Sequence, residues 1–254
     1  MPCSPTNRPA ARLLLALMFA QAGWSQAGLP SKEILNYTVE WRLITAGKAR
    51  LSWSALPKPG DHGWQTNLHV ESTGLVSKLF KVSDDYTSTL RADLCAVGSL
   101  LNAREGSRHR ETRVTFDYQS KKASYLEKDL TKNTVENTLE IDIPPCVHDV
   151  FGGLYLLRTM RLEPGQSTQV PISDGKKSVS AKVTALQRET VKTPAGTFKT
   201  VRYEAFLFNN VLYRRPAHLY VWLSDDARRV PVQIQVKMQF TIGTITLQLE
   251  KEGV

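Results

Sequence analysis

Long stretches of this chain alternate strictly between apolar and polar residues. In one stretch the apolar side chains fall at odd positions, at Tyr37, Val39, Trp41 and Leu43, with polar residues between them. The pattern recurs after a turn expected at Gly47, and then at residues 49–55, 64–70, 179–185, 201–207, 219–223, 232–240 and 245–249. Alternation with a period of two places one face of a strand on a core and the other in water, as in antiparallel sheets. The sequence therefore predicts an all-β, mainly antiparallel protein with a curved or barrel-like sheet.

Weaker patterns predict further strands near 84–93, 109–118, 121–128 and 134–143. The runs at 232–240 and 245–249 are expected to form a hairpin, joined near residues 241–243. Leu75, Val76, Leu79 and Phe80 follow helical spacing, which favours a short helical turn there.

One longer helix is predicted near 149–161. Asp149 is placed to cap its first turn by accepting a backbone N–H bond, and the Pro-Gly pair at 164–165 ends it. Gly152 and Gly153 weaken this helix by about 1 kcal/mol each relative to alanine. The same glycines let a strand or loop approach the helix closely.

The first 27 residues have the order of a secretory signal peptide. Arg8 and Arg12 come first, an apolar run follows at 13–20, and small residues stand at Ser25 and Ala27. Cleavage is expected near Ala27, with a cut after Ala22 as the alternative. The apolar run is shorter than the roughly 20 residues that span a bilayer. The sequence thus predicts a periplasmic or secreted protein that is at most peripheral to the membrane, with no cofactor and no nucleic-acid partner.

The mature chain is expected to be one mainly-β domain over 28–254. The alternative is two β halves, 28–145 and 166–254, joined by the helix. Removal of residues 1–27 lowers the formal net charge from +9 to about +7. This charge suits an anionic envelope surface or polymer, and solubility alone is the simpler interpretation.

Two cysteines lie in the mature chain, Cys95 and Cys146. In an oxidising compartment such a pair usually forms a disulfide, which is our prediction. Two separate buried thiols are the alternative. The chain has no Cys-x-x-Cys motif, so a catalytic thiol is not expected.

Four segments carry a family resemblance: 79–86, 144–158, 193–200 and 222–232, the last followed by Gly243-Thr244-Ile245. With them the chain resembles the bacterial domain of unknown function 3108 family over most of its mature length. The resemblance implies an exported, mostly β envelope protein and no established activity. The family-motif positions are Asp149, Arg158, Ser224, Asp225 and Asp226.

The densest polar motif is the Ser224-Asp225-Asp226 segment. Its two carboxylates are suited to Ca²⁺, but no further ligand follows at regular spacing. A tight turn with an aspartate accepting backbone N–H bonds is the preferred interpretation.

An arginine-rich block at 102–113 is either an anion-binding patch or a solvated strand face, and we favour the second. The five histidines show no zinc-ligand spacing, and no motif of a known catalytic class occurs. We therefore expect neither a metal site nor an enzyme.

Aromatic residues on apolar strand faces are the candidates for a ligand site. These are Trp41, Trp53, Tyr155 and Trp222. The alternative is that they only fill the core.

The preferred function is non-catalytic binding or transport of an apolar or amphipathic envelope molecule, such as a lipid or glycolipid. The first alternative is a structural adaptor that binds an envelope protein or anionic polysaccharide through its basic face. A less favoured alternative is an outer-membrane barrel, which has similar alternating strands.

Overall fold

The computed structural model describes Met1 and residues 28–56, 62–238 and 243–253. The predicted signal peptide and its cleavage position lie outside the described residues. The strands are β1 (Lys32–Trp41), β2 (Ile44–Ala55), β3 (Gly63–Ser72), β4 (Val82–Arg91), β5 (Ala96–Glu105), β6 (Arg108–Asp117), β7 (Lys122–Asp129), β8 (Thr134–Asp142), β9 (Ser167–Ser173), β10 (Ser178–Thr193), β11 (Gly196–Ala205), β12 (Ala217–Ser224), β13 (Pro231–Met238) and β14 (Thr244–Gly253). The helices are α1 (Gly74–Leu79) and α2 (Val150–Thr159).

In the described part of the chain all fourteen strands form one antiparallel sheet. Its order is β8-β7-β6-β5-β4-β3-β2-β1-β14-β13-β12-β11-β10-β9. Neighbours in sequence are neighbours in the sheet, except that β1 pairs with β14 and that β8 and β9 form the two edges. The predicted all-β, mainly antiparallel fold is confirmed. The two predicted halves lie in this one sheet, and their division into domains stays a prediction.

The turn between β1 and β2 lies at Arg42 and Leu43, so the turn expected at Gly47 is misplaced. Both residues have positive φ, 50° and 71°. Gly47 instead lies within β2, where an added Cβ would come within 2.2 Å of the Glu71 carbonyl oxygen. Glycine is needed at position 47 for this close strand approach.

The sheet curls until its β9 side meets the inner face of β6 and β7. Gly175, in the β9–β10 connection, is so close to this face that an added Cβ would lie 2.6 Å from a methyl group of Val114. The outer edge of β9, which pairs with no other strand of the sheet, is covered by the segment before α2. There His148 donates its N–H to the Pro171 carbonyl (2.9 Å) and accepts from the Ser173 N–H (2.9 Å). The sheet is therefore strongly curved but not closed by hydrogen bonds.

Because neighbouring strands are antiparallel, the connections alternate between two ends of the sheet. We call one end the rim; its fully described connections are 42–43, 73–81, 106–107, 130–133, 174–177 and 206–216. The opposite end, which we call the base, includes the connection that contains α2. Two groups of buried residues form the core, one around Trp53 and Tyr155 and one around Tyr203 and Val221.

Candidate ligand-binding site

Helix α2 lies inside the curved sheet and is the floor of the candidate site. Its N-cap is Asp149, as predicted: the carboxylate accepts the Gly152 N–H at 2.6 Å. The second carboxylate oxygen accepts from the Tyr86 hydroxyl at 2.8 Å. Burial and the neighbouring Asp149 charge raise the pKa of Tyr86 well above its usual value, so this hydroxyl remains a donor at neutral pH.

The two glycines of α2 have the close approaches that the sequence suggested. An added Cβ at Gly152 would lie 3.0 Å from the Leu94 carbonyl oxygen, and one at Gly153 would lie 2.6 Å from the Ile172 Cδ1 atom. Helix α2 can therefore pack directly against β9 and the β4–β5 connection.

Arg158, in the last turn of α2, is fixed to the sheet by a buried ion pair. It is 1% exposed and donates from Nη1 and Nη2 to the two carboxylate oxygens of Glu33, at 2.6 and 2.9 Å. Nη2 also donates to the Arg228 carbonyl at 3.1 Å. Burial alone would lower the pKa of Arg158, but its hydrogen bonds to Glu33 and the Glu33 charge raise it. The guanidinium is thus held in its charged form.

The Ser224–Asp226 motif forms a tight turn, the interpretation preferred from the sequence. One oxygen of Asp226 accepts from the Ser224 hydroxyl (2.8 Å) and from the N–H groups of Arg228 (2.9 Å) and Arg229 (3.0 Å). Burial opposes ionisation of Asp226, but these hydrogen bonds outweigh it and lower the pKa. Asp225 accepts from Arg188 Nε at 3.0 Å.

The same turn holds the end of α2. It presents the Arg228 carbonyl to Arg158, and Arg229 donates to the Tyr203 hydroxyl (2.7 Å) and to the Leu157 carbonyl of α2 (3.4 Å). The turn therefore holds the C-terminal end of α2 in the sheet through Arg158 and Leu157, and Asp149 caps the N-terminal end.

Loss of the helix cap is expected to destabilise the protein. Asp149→Ala removes the acceptor for Gly152 and Tyr86, at a cost of about 1–2 kcal/mol. For a domain of this size this corresponds to a melting temperature about 2–8 °C lower, measured by circular dichroism. Asp149→Asn is the matched control: asparagine caps as well as aspartate and loses only the oxygen that accepts from the Tyr86 hydroxyl, so it should melt between Asp149→Ala and the wild type. Equal melting of Asp149→Ala and wild type would contradict the role of the cap.

Above α2 the sheet encloses a cavity of about 270 Å³, which we call the apolar chamber. Its floor is formed by residues of α2, and its walls by inward-facing residues of β1, β2, β3 and β9–β14. Leu207, Phe208 and Tyr213 of the β11–β12 connection line it at the rim. The lining residues are apolar except for the tyrosines, so the chamber is suited to a hydrocarbon group.

A second cavity of about 470 Å³, the polar chamber, adjoins the first and shares Leu68, Val150, Phe151 and Tyr213 with it. Arg110 lies here, 2.5 Å from a Glu105 oxygen and 3.4 Å from a Glu127 oxygen. Its Nε is buried with no hydrogen-bond partner among the described residues.

Ionisable groups line both the polar chamber and its boundary. Burial raises the pKa of Asp84, which lines the polar chamber, and raises that of Tyr213, at the boundary, to about 12. Tyr213 therefore keeps its proton at neutral pH and is a hydrogen-bond donor. The two adjoining chambers suit a ligand with one apolar and one polar part.

The structure brings two of the four predicted aromatic residues together. Trp53 is fully buried, stacks on Tyr155 of α2 (ring centroids 3.8 Å apart) and on Trp64 (4.7 Å), and donates from Nε1 to the Pro30 carbonyl. This stack fills the base beneath α2. Neither Trp53 nor Tyr155 is among the residues that line the apolar chamber.

The other two aromatic residues, Trp41 and Trp222, also lie outside the lining of the apolar chamber. Trp41 is half-buried beside the β1–β2 turn, with the Arg42 guanidinium 5.6 Å from its ring centroid. Trp222 faces away from the chamber, since it alternates with the chamber residue Val221, and it donates from Nε1 to Glu189 at 2.8 Å. The binding role predicted for these four residues stays a prediction.

Sequence reasoning missed Glu33 and the chamber residues Phe208 and Tyr213. The signal for Glu33 was available, because it shares the odd-numbered, inward face of β1 with Tyr37 and Val39. A carboxylate on a buried face needs a partner. Leu207 ends the predicted alternating run, whereas Phe208 and Tyr213 lie in an irregular connection where no period could reveal them.

The arginine-rich block is not one patch. Arg110 lines the polar chamber, whereas Arg104 and Arg108 are exposed. Within residues 28–56, 62–238 and 243–253, no group of three or more His, Cys, Asp or Glu side chains is arranged to hold a metal ion. No helix in the part that the structure describes is long and apolar enough to cross a membrane.

Cys95 and Cys146 form a disulfide with a Cα–Cα distance of 5.3 Å. It ties the β4–β5 connection to the segment that leads into α2.

The fold and the site define a class: a β-barrel-like protein with an inner helix and an internal apolar cavity. Within that class the chain belongs to the family described as "Protein of unknown function (DUF3108)", whose model matches residues 36–250. The resemblance read from the sequence is thereby confirmed. No curated protein matches the chain in sequence.

Solved structures of similar fold include a β-barrel-like protein of the domain of unknown function DUF1849 from Brucella abortus. It has 10% identity and a TM-score of 0.55, over 89% of this chain and 98% of that one. The likeness supports the barrel-like prediction. Two others have TM-scores of 0.38 and cover 89% of this chain and 97% of theirs. One is described as exported, with a YmcC-like fold, from Bacteroides fragilis (10% identity), and one as a lipoprotein from Parabacteroides distasonis (11%).

Proposed function

We propose that this protein is an exported, non-catalytic binding or carrier protein for an amphipathic molecule of the cell envelope. The observation that carries the proposal is the apolar chamber with the polar chamber beside it. Ligand pockets are typically about 300–1,000 Å³, and the two chambers together fall within that range. The signal-peptide pattern and the disulfide support a location in the periplasm or outside the cell.

The chamber linings favour a molecule with a hydrocarbon chain and a polar head. Leu157, Val170 and Ile234 are among the aliphatic side chains around the apolar chamber, where each buried methylene group contributes about 0.8 kcal/mol. The head would lie in the polar chamber, where Arg110 and Lys176 offer donors and Glu127 offers an acceptor. A lipid or glycolipid has both parts, a hydrocarbon chain and a polar head.

The first test is native mass spectrometry of the mature protein, residues 28–254, purified from the periplasm, with organic extraction of the same sample. A bound lipid or glycolipid at near-stoichiometric amount is the expected result. A clean mass with nothing extracted would contradict the carrier proposal and favour the adaptor alternative. An adaptor that binds through its basic face would also release its partner at high salt, whereas a buried apolar ligand would remain.

Filling the apolar chamber is expected to exclude the ligand. Ala205 lines the chamber, so Ala205→Trp would place an indole ring in the space of the hydrocarbon chain. Excluding even two methylene groups costs about tenfold in affinity. The measurement is the fraction of protein that carries extracted lipid.

Ser180→Trp, on the exposed outer face of β10, is the matched control and should keep its ligand. Both variants are first checked for cooperative thermal unfolding. A folded Ala205→Trp protein with full occupancy would place the ligand elsewhere.

A further inference from the structure

The rim carries a cluster of exposed apolar side chains, which we call the apolar rim patch: Leu43, Ile44, Leu75, Leu79 and Phe80. Leu43, Leu75 and Leu79 are 92%, 68% and 77% exposed. Soluble proteins rarely expose adjacent large apolar side chains without a partner for them.

The residues of the patch are neighbours in space. Helix α1 packs against β2, and the Thr73 N–H before it donates to the Ala46 carbonyl at 2.9 Å, just after the turn that holds Leu43. Phe80 extends the patch to the β5–β6 connection, where an added Cβ at Gly106 would come within 2.9 Å of its ring. The patch therefore covers three adjacent connections of the rim.

Two features indicate that this exposure is not a by-product of the fold. Helix α1 has no buried residue, so folding gains little from its leucines. Leu43 adopts a positive φ of 71°, a conformation in which a large side chain is strained and for which hairpin turns normally use glycine or asparagine. A leucine at the tip of this turn therefore costs stability, which points to a function for its exposed side chain.

Charge is distributed unequally between the two ends of the sheet. Among the residues that the structure describes, the rim connections hold eight basic residues and one acidic residue: Arg42, Lys78, Lys81, Lys132, Lys176, Lys177, Arg214 and Arg215, against Asp174. The described residues of the base connections, α2 included, hold five of each: Lys121, Arg158, Arg161, Arg228 and Arg229, against Asp93, Asp149, Glu163, Asp225 and Asp226. The excess positive charge of the chain's connections is thus concentrated at the rim, beside the apolar patch.

We infer that the rim is a membrane-docking surface for anionic phospholipid bilayers. Apolar side chains in a basic surround are what an interfacial protein needs: the first insert at the boundary of headgroups and acyl chains, and the second attract anionic headgroups. The β11–β12 connection, which lines the apolar chamber through Leu207, Phe208 and Tyr213, belongs to the same end. Docking would therefore bring the chamber to the bilayer surface, although the inference stands without the proposed carrier function.

The test is cosedimentation of the mature protein with vesicles of phosphatidylcholine alone or mixed with phosphatidylglycerol. Wild-type protein should sediment with the mixed vesicles and lose most of this binding at high salt. Leu75→Ser/Leu79→Ser should lower the partition coefficient about tenfold or more. Val97→Ser/Leu139→Ser removes two exposed apolar side chains outside the rim connections and should bind like wild type.

A second pair of variants tests the charge. Lys78→Gln/Lys81→Gln should weaken binding to the mixed vesicles, whereas Lys121→Gln/Lys192→Gln, which removes the same charge at the base end of the sheet, should not. Equal binding of the rim and control variants would overturn the inference. Wild-type protein that sediments with neither kind of vesicle would overturn it too. Sedimentation velocity without vesicles tests whether a second copy of the chain occupies the patch. A wild-type dimer that dissociates only in the rim variants would assign the patch to this dimer and overturn the membrane inference. Lipid extraction from the purified protein is independent of all these outcomes, so failure of docking and failure of the carrier function are distinguishable.

Discussion

Glu33→Ala is expected to destabilise the protein by about 3–5 kcal/mol. The substitution leaves the Arg158 guanidinium buried in the sheet with the Arg228 carbonyl as its remaining hydrogen-bond acceptor. A buried charge without its counterion costs far more than the ion pair itself gains, because the charge cannot recover its hydration. Urea unfolding at neutral pH measures the change in the free energy of unfolding.

The double variant Glu33→Leu/Arg158→Met is the control for this interpretation. It removes both charges and keeps side chains of similar size, so it should lose less stability than Glu33→Ala alone. If the double variant were the less stable protein, the cost would come from lost packing of α2 and not from an unpaired charge. If Glu33→Ala lowered the free energy of unfolding by less than about 1 kcal/mol, the ion pair would behave like one at the solvent-exposed surface, and the buried-charge interpretation would be wrong.

Removal of the disulfide is expected to cost about 4 kcal/mol in the chain-entropy model. Cys95 and Cys146 are separated by 51 residues, so the bond closes a long loop that includes β5–β8. The Cys95→Ser/Cys146→Ser protein should unfold at a lower urea concentration than the oxidised wild type. Reductant should move the wild type towards the variant and leave the variant unchanged.

Alkylation of the denatured, non-reduced protein tests the bond directly. Protein made in the periplasm should have no reactive thiol among Cys95 and Cys146. Two reactive thiols would refute the disulfide and restore the alternative of two separate buried thiols.

The strands that were predicted best from the sequence are those with one buried face and one solvent-exposed face. Residues 109–118 were expected as a strand and are β6 within one residue; in its second half the buried Val114 and Phe116 alternate with exposed residues. β5 was missed because its inner face includes Ser99, which lines the polar chamber, while Val97 on the same strand is exposed. A strand whose inner face is polar lacks the alternation that reveals strands.

The edge strand β9 was missed for another reason. It has seven residues, and Pro171 lies within it. Proline in a strand is tolerated at a sheet edge, but in a sequence it argues against a strand.

The candidate site was predictable only in part. Asp149 as a helix cap follows from local chemistry, and the Asp226 turn does too, because an aspartate carboxylate accepts N–H bonds from the next few residues. The apolar chamber does not follow, because its walls come from distant strands and its volume depends on how strongly the sheet curves. The partner of Arg158 lies 125 residues away, a distance at which no local pattern operates.

The pairing of β1 with β14 sets the order in which the molecule can be completed. β14 is synthesised after the twelve strands that follow β1, yet it lies beside β1 in the middle of the sheet. Until it arrives, β1 has one unpaired side, and an unpaired strand invites association with other chains. Closing so long a loop also slows folding. A chain that crosses a membrane from its N-terminus would therefore spend its whole passage as an unfinished sheet, so a factor that shields β1 during export would protect this protein more than one that acts after export is complete.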